Sequence, residues 1–179
     1  LFLPQAHTFA VYTGHLYSWK GVDTLAQAAE LLPAEFRVVF VGGTSEDVER
    51  FSKTYGSSRH ISIMGHVPHA EVPLWQKAAD VLVLPNTGKE DISVEYTSPM
   101  KLFEYMASGT PIVASDLPSI REIACNGRAM LVTPDDPQAL ARGITNVLEH
   151  GGMMYADAAS AWVKDHSWEK RATRILQKI

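Results

Sequence analysis

The sequence has one cysteine, Cys125, among its 179 residues. A single thiol cannot form an internal disulfide, and it cannot supply the several cysteine ligands of a structural zinc site. Basic residues are also fewer than acidic ones, 16 against 20, which gives a net charge of −4 at pH 7. A negative net charge does not indicate the positively charged surface that nucleic-acid binding requires, and no basic run is long enough to bind a membrane surface.

Long hydrophobic runs are missing as well. No apolar stretch approaches the roughly 18 residues that a membrane-spanning helix needs. The opening Leu1–Pro4 is too short for a signal peptide, and there is no initiator Met, so we expect a piece of a longer, cytoplasmic protein. The overall composition is that of a globular protein, with 46% hydrophobic and 20% charged residues. We expect a single domain over residues 1–179 that buries its own core without disulfides or metal.

Short apolar runs rich in β-branched residues alternate along the chain with segments of helical periodicity. The six runs are Phe9–Thr13, Phe36–Val41, Ile61–Met64, Val81–Leu84, Ile112–Ala114 and Ala129–Val132. Most of them are apolar at every position, which is typical of parallel strands buried on both faces. Such strands separated by helices predict an α/β, Rossmann-like fold with a doubly wound parallel sheet of about six strands.

Helical periodicity indicates six helices between and after these strands, followed by a helical C-terminal portion over about residues 152–179. The ranges are Gly21–Leu32, Ser45–Tyr55, Ala70–Ala79, Pro99–Ser108, Ser119–Ala124, Pro137–His150, Met153–Val163 and Trp168–Ile179. Several helix starts carry a cap signal. These are Ser98-Pro99, Asp136-Pro137, Ser167, and Ser119 with Glu122 as a capping box.

Two lysines fall near predicted helix starts. Lys20 lies at the start of the first helix, and Lys101 lies in the first turn of the helix opened by Ser98-Pro99. A cation there opposes the helix dipole, unless an anion such as a phosphate or diphosphate docks beside it. The alternative is that both side chains bend into solvent. Glu104, one turn after Lys101, is either half of a surface ion pair or a carboxylate that binds sugar hydroxyls.

Several common cofactor sites are disfavoured. The loop after the first strand lacks the three-glycine dinucleotide fingerprint, and no Gly-Lys-Ser/Thr phosphate loop is present, which argues against NAD binding and the common ATPase chemistry. His60, His66 and His69 are clustered in sequence but do not match a metal-ligand spacing. We therefore expect no metal and no other cofactor.

Residues 98–118 read SPMKLFEYMASGTPIVASDLP. This segment closely resembles the C-terminal, nucleotide-sugar-binding domain of retaining glycosyltransferases of family 4 (group 1). Further landmarks follow in the family's order: GHL with KG in 14–21, VFVGG in 39–43, MGHV in 64–67, ADVLVLP in 79–85, VTP in 132–134 and SWE in 167–169. The resemblance implies one half of the GT-B architecture of two Rossmann-like domains, with the N-terminal acceptor domain lying outside this chain.

The resemblance also implies residue roles. Lys20 would contact the diphosphate of a UDP- or GDP-linked sugar, and Glu104 would hold the ribose as the second glutamate of a Glu-x7-Glu motif; both are the expected catalytic residues. The remaining expected contacts to this sugar nucleotide are Gly14, His15, His66, Val67, Ser98, Pro99, Met100 and Lys101. Two positions depart from the family, because His15 stands where many members have arginine and Tyr96 stands at the first glutamate.

The function implied is transfer of a hexose from a nucleoside-diphosphate sugar to a hydroxyl acceptor, with retention at the anomeric carbon. Cations and backbone amides, rather than a metal, would stabilise the departing diphosphate. The acceptor would be a sugar or a lipid-linked sugar in polysaccharide or glycolipid biosynthesis, and the full-length protein could associate peripherally with a membrane. Two alternatives stay open: a degenerate nucleotide-binding or scaffold domain without transfer activity, and a sugar-nucleotide epimerase.

Overall fold

The computed structural model of the chain describes residues 8–94 and 100–177. Six strands form one sheet in the order β3-β2-β1-β4-β5-β6, and every neighbouring pair is parallel. They are β1 (Thr8–Thr13), β2 (Phe36–Val41), β3 (Ile61–Gly65), β4 (Val81–Leu84), β5 (Ile112–Ser115) and β6 (Met130–Val132). The predicted fold and all six predicted strands are confirmed, with no strand end displaced by more than one residue.

Helices cover both faces of the sheet. They are α1 (Val22–Ala29), α2 (Ser45–Tyr55), α3 (Val72–Ala78), α4 (Asp91–Val94), α5 (Met100–Ser108), α6 (Pro118–Ala124), α7 (Pro137–Glu149), α8 (Gly152–Val163) and α9 (Trp168–Leu176). Short 3₁₀ turns occupy Ser18–Lys20 and His69–Glu71. The helical C-terminal portion follows from residue 152, and α4 is a helix that the sequence did not predict.

Two hydrophobic clusters explain why the strands are apolar on both sides. In β1, Ala10 and Tyr12 belong to one cluster with α1 and α7, whereas Val11 belongs to the other with α5 and α6. All four residues of β4 are buried, as are all four of β5. Consecutive side chains of a strand point to opposite faces, so a strand between two helical layers must be apolar throughout.

The helix caps agree with the sequence in part. The Asp136 carboxylate accepts hydrogen bonds from two backbone N–H groups at the start of α7, and the Ser167 hydroxyl caps α9 as predicted. The predicted capping box at Ser119 is wrong, because α6 begins one residue earlier, at Pro118, and the Ser119 hydroxyl donates to the Ser93 carbonyl instead. The predicted cap at Ser98-Pro99 lies outside the described residues.

The sheet order creates a crevice beside β1. From β1 the chain winds outward through β2 and β3, and it then returns to β4 on the other side of β1. The loops that follow β1 and β4 therefore leave the sheet in opposite directions, and in open α/β sheets ligands bind at this point. Within the part of the chain that the structure describes, none of the helices is long and apolar enough to cross a membrane.

Candidate functional site

A hollow of about 340 Å³ lies at the carboxyl ends of the strands, between the loops after β1, β2 and β3 and the first turns of α5. It brings together six of the predicted site residues: Gly14, His15, His66, Val67, Lys101 and Glu104. The remaining lining residues are Thr13, Val41, Gly42, Gly43, His69 and Val72. The position matches the one expected for a ligand of a doubly wound sheet.

The other predicted site residues lie elsewhere. Lys20 is not among the residues that line the hollow; it ends a 3₁₀ turn, and its ammonium lies 3.6 Å from the centre of the Trp19 ring. The first α-helix begins at Val22, one residue later than predicted, so Lys20 lies two residues before this helix and not within its first turn. Met100 lines a neighbouring groove between α5 and α9, which shares Glu104 with the hollow. Ser98 and Pro99 lie outside the described residues.

Lys101 is the most tightly enclosed cation of the site. Its ammonium donates a hydrogen bond of 2.8 Å to the Tyr12 hydroxyl and lies 4.2 Å from the centre of the Tyr12 ring. It also packs directly on the backbone of Gly14, where a Cβ atom would lie 2.2 Å from the ammonium nitrogen. Among the described carboxylates none lies within salt-bridge distance of Lys101, so the expected alternative of an ion pair with Glu104 does not form.

Burial lowers the pKa of both lysines of the predicted site, and the charge of Lys20 adds to the effect on Lys101. Burial lowers the pKa of Lys101 to about 7, with a further lowering by the charge of Lys20 and an opposing contribution from Glu104. Burial also lowers the pKa of Lys20 to about 8. A bound anion would favour the charged form of both ammonium groups and would raise both pKa values.

The low pKa of Lys101 predicts an unusual pH dependence of stability. The folded chain holds this pKa at about 7, against 10.5 for an unperturbed lysine. Between these values the unfolded chain binds more protons, so the lysine makes the free energy of unfolding rise with pH. In Lys101→Met this contribution is absent, and we expect the variant to gain most over the wild type at low pH. Urea unfolding of both proteins at about pH 6 and about pH 9 measures the two differences, and equal differences would contradict the prediction.

Tyr12 connects Lys101 to the loop after β1. Its hydroxyl accepts from the Lys101 ammonium and donates a 2.6 Å hydrogen bond to the His15 carbonyl. The His15 ring stacks on the Tyr17 ring at 4.9 Å, and its Nδ1 lies 4.0 Å from the carboxylate of Asp47. The loop and the cation are therefore held by the same buried hydroxyl.

Glu104 projects from α5 at the edge of the hollow. The side chain is exposed, and its Oε2 accepts a 3.4 Å hydrogen bond from the Gln76 side-chain amide. Neither Tyr12 nor Gln76 was singled out by the sequence, because one lies in an apolar strand and the other in a helix without a motif. No pattern in a single sequence distinguishes them from ordinary core residues.

The histidines divide between the hollow and the core. His66 and His69 line the hollow, whereas His60 is buried, with 5% of its surface exposed, before β3. Over residues 8–94 and 100–177, no three histidine, cysteine or acidic side chains stand close enough together to hold a metal ion. The expectation of a metal-free site stays a prediction.

Comparison with protein families gives a match to a sequence model described as "Glycosyl transferases group 1", over residues 8–150. This range includes the whole sheet and every residue that lines the hollow. It ends at His150, two residues before α8 begins, so the two C-terminal helices lie beyond the matched range.

Individual relatives carry the likeness along nearly the whole chain. A phosphatidyl-myo-inositol mannosyltransferase of Mycobacterium tuberculosis is 30% identical over 163 residues, which are 87% of this chain and 41% of the relative. An uncharacterized glycosyltransferase of Methanocaldococcus jannaschii is 26% identical over 94% of this chain and 43% of the relative. The chain thus spans less than half the length of these curated relatives.

A solved structure supports the fold independently. HepE of Anabaena, crystallised in complex with UDP, superposes with a TM-score of 0.80 over 97% of this chain and 50% of that one. The sequences are 20% identical, so this likeness shows the shared fold alone.

Proposed function

The chain belongs to the family of group 1 glycosyl transferases, and we propose that it is the half of such an enzyme that binds the nucleoside-diphosphate sugar. The observation that carries this proposal is the enclosed ammonium of Lys101. It faces a hollow at the ligand-binding edge of the sheet, with no carboxylate beside it in the described residues to neutralise it. A diphosphate supplies the missing negative charge, and its oxygens suit ammonium and backbone N–H groups.

The site residues then divide by the part of the ligand they meet. Lys101 and Gly14 contact the diphosphate, and Lys20 reaches it from its place over Trp19. The Glu104 carboxylate accepts hydrogen bonds from the ribose hydroxyls, as acceptor-only groups do. The loop at His66 and Val67 meets the base from the far side of the hollow.

In the proposed reaction a hexose moves to a hydroxyl acceptor with retention. The bond between the anomeric carbon and the diphosphate oxygen breaks, the acceptor oxygen takes its place, and the acceptor's proton leaves on the diphosphate. Negative charge grows on the leaving group, where Lys101 and Lys20 stabilise it. Since the chain spans 41% to 43% of its curated relatives, the remainder of the protein would supply the acceptor side of the cleft.

The nature of the relatives supports this class of substrate. One is named as a mannosyltransferase that acts on phosphatidyl-myo-inositol, and one neighbour of the same fold was crystallised with UDP. A hexosyl nucleotide is therefore the expected sugar donor, with a sugar or a lipid-linked acceptor. We also propose that the protein is cytoplasmic.

Calorimetric titration of the chain with UDP, GDP and ADP tests the proposal. We expect at least one of them to bind with a dissociation constant between about 1 µM and 1 mM, the ordinary range for substrates. Absence of binding by all three at millimolar concentration would overturn the assignment of the hollow.

In the full-length protein, Lys20→Ala and Glu104→Ala should reduce transfer, whereas Lys77→Ala should not, because Lys77 is an exposed residue of α3 that does not line the hollow. Transfer unaffected by the first two changes would favour the scaffold alternative.

A further inference from the structure

Gln76 of α3 is a nearly buried polar side chain, 3% exposed, that the proposed function does not use. Its amide nitrogen lies 3.4 Å from a carboxylate oxygen of Glu104 and 3.4 Å from the hydroxyl of Thr13. We propose that Gln76 is a positioning residue that directs the Glu104 carboxylate into the hollow and thereby makes the site prefer ribonucleotides to deoxyribonucleotides. This inference rests on the proposed function, in which Glu104 binds the ribose.

The Gln76 amide lies at the end of a set of hydrogen bonds that begins at Tyr105. The Thr13 backbone N–H donates to the Tyr105 hydroxyl at 2.9 Å, and the Thr13 hydroxyl donates to the same oxygen at 3.3 Å. With its own hydrogen used in this way, the Thr13 hydroxyl accepts from Gln76. One hydrogen of the Gln76 amide is thus directed at Thr13, and the other is directed at Glu104.

Burial makes this arrangement hard to break. Thr13 and Tyr105 are 3% and 0% exposed, so neither group exchanges its partner for water. An amide hydrogen left without an acceptor in such a place loses its hydration and gains no hydrogen bond in return, which destabilises the fold. The Gln76 amide therefore retains its hydrogen bond to Glu104, which is the charged and exposed member of this hydrogen-bonded series.

Glu104 needs such a support because it is otherwise free. Its side chain is exposed, and among the described residues the Gln76 amide is the hydrogen-bond donor that its carboxylate has. A glutamate that binds a ligand from a mobile state loses side-chain entropy, which weakens the binding. With Oε2 held by Gln76, the carboxylate at the edge of the hollow keeps lone pairs that can accept from a pair of ribose hydroxyls.

A merely structural role for Gln76 makes a different prediction. The backbone of Gln76 is fixed separately, because the Thr110 hydroxyl donates a 2.9 Å hydrogen bond to its carbonyl. If Gln76 only filled space at the base of the hollow, its loss would weaken the fold and the binding of every nucleotide alike. A positioning role instead changes the ratio between two ligands that differ by one hydroxyl.

The experiment measures that ratio. Calorimetry compares UDP with 2′-deoxy-UDP and 3′-deoxy-UDP, or the guanosine set if GDP is the better ligand, in the wild type, Gln76→Met and Thr110→Val. Methionine keeps the length of the side chain without the amide. We expect the preference for the ribonucleotide to fall about tenfold in Gln76→Met, which is the effect of one hydrogen bond to a charged group, and to stay unchanged in Thr110→Val.

Each outcome decides the question. A lower ratio in Gln76→Met alone supports the inference, and Gln76→Leu, whose side chain has no hydrogen-bond donor, should lower it too if the methionine variant folds poorly. An unchanged ratio in both Gln76 variants overturns the inference while leaving the proposed function intact. If the wild type binds none of these nucleotides, the proposed function fails, and the role of Gln76 fails with it.

Discussion

Replacement of Lys101 by methionine is expected to weaken the binding of a nucleoside diphosphate by about 100-fold or more. Removing one partner of a desolvated charge pair typically costs 2–5 kcal/mol, and about 2.7 kcal/mol corresponds to 100-fold. The Lys101 ammonium is such a group, because it is enclosed by Tyr12 and Gly14 at the edge of the hollow. Calorimetric titration of wild type and variant with the same nucleotide measures the change.

Two comparisons show whether the lost binding affinity depends on the contact between Lys101 and the diphosphate. The nucleoside lacks the phosphates, so its weaker binding should be affected little by Lys101→Met. Lys53→Met serves as the matched control, since Lys53 is an exposed lysine paired with Glu49 on α2, on a separate surface. If Lys53→Met weakens nucleotide binding as much as Lys101→Met, general charge rather than the enclosed ammonium determines the affinity, and the prediction is wrong.

The fold was readable from the sequence because its strands are buried on both faces. A run such as Val81–Leu84 has no polar position, and it is bounded by Asp80 and Pro85, so its type and its length are both determined by composition. Helices that bury one stripe were equally clear. The short helix Asp91–Val94 was not, because a single turn lacks the length that periodicity needs.

The start of α6 shows why a local signal can fail. Ser119 and Glu122 have the spacing of a capping box, but Pro118 already occupies the first helical turn, which its fixed φ favours. The serine then has no free backbone N–H to cap and bonds to the carbonyl of Ser93 in α4. Two start signals one residue apart compete, and tertiary contacts decide between them.

The sequence predicted several residues that line the candidate site, but it did not predict the side chains that hold them in place. The resemblance named six residues that line one hollow, yet it also named Lys20, whose ammonium lies over Trp19 instead. The supporting side chains, Tyr12 and Gln76, were not named, since their roles depend on contacts with residues 89 and 28 positions away in sequence. Such contacts become visible only when the chain is folded.

Gly21→Ala is expected to lower the free energy of unfolding by about 3 kcal/mol, the combined effect of backbone strain and overpacking. Gly21 has a φ of +71° and joins the 3₁₀ turn that ends at Lys20 to α1. A Cβ atom there would lie 1.8 Å from the carbonyl oxygen of Pro85, at the end of β4. Backbone cannot move aside as a flexible side chain does, so the turn and β4 must separate. Urea unfolding of both proteins measures the loss.

Gly127→Ala separates the two causes of that loss. Gly127 has nearly the same φ, +72°, but a Cβ atom there meets nothing within 4 Å. This variant carries only the strain of the left-handed conformation, about 1–2 kcal/mol. The excess in Gly21→Ala therefore reports the contact with Pro85, which holds the Lys20 turn against the crevice between β1 and β4. Equal losses would show that the contact does not determine the position of this turn, and nucleotide binding should then survive in both variants. Unequal losses should be accompanied by weaker nucleotide binding in Gly21→Ala alone, because only there would Lys20 move away from the proposed diphosphate position.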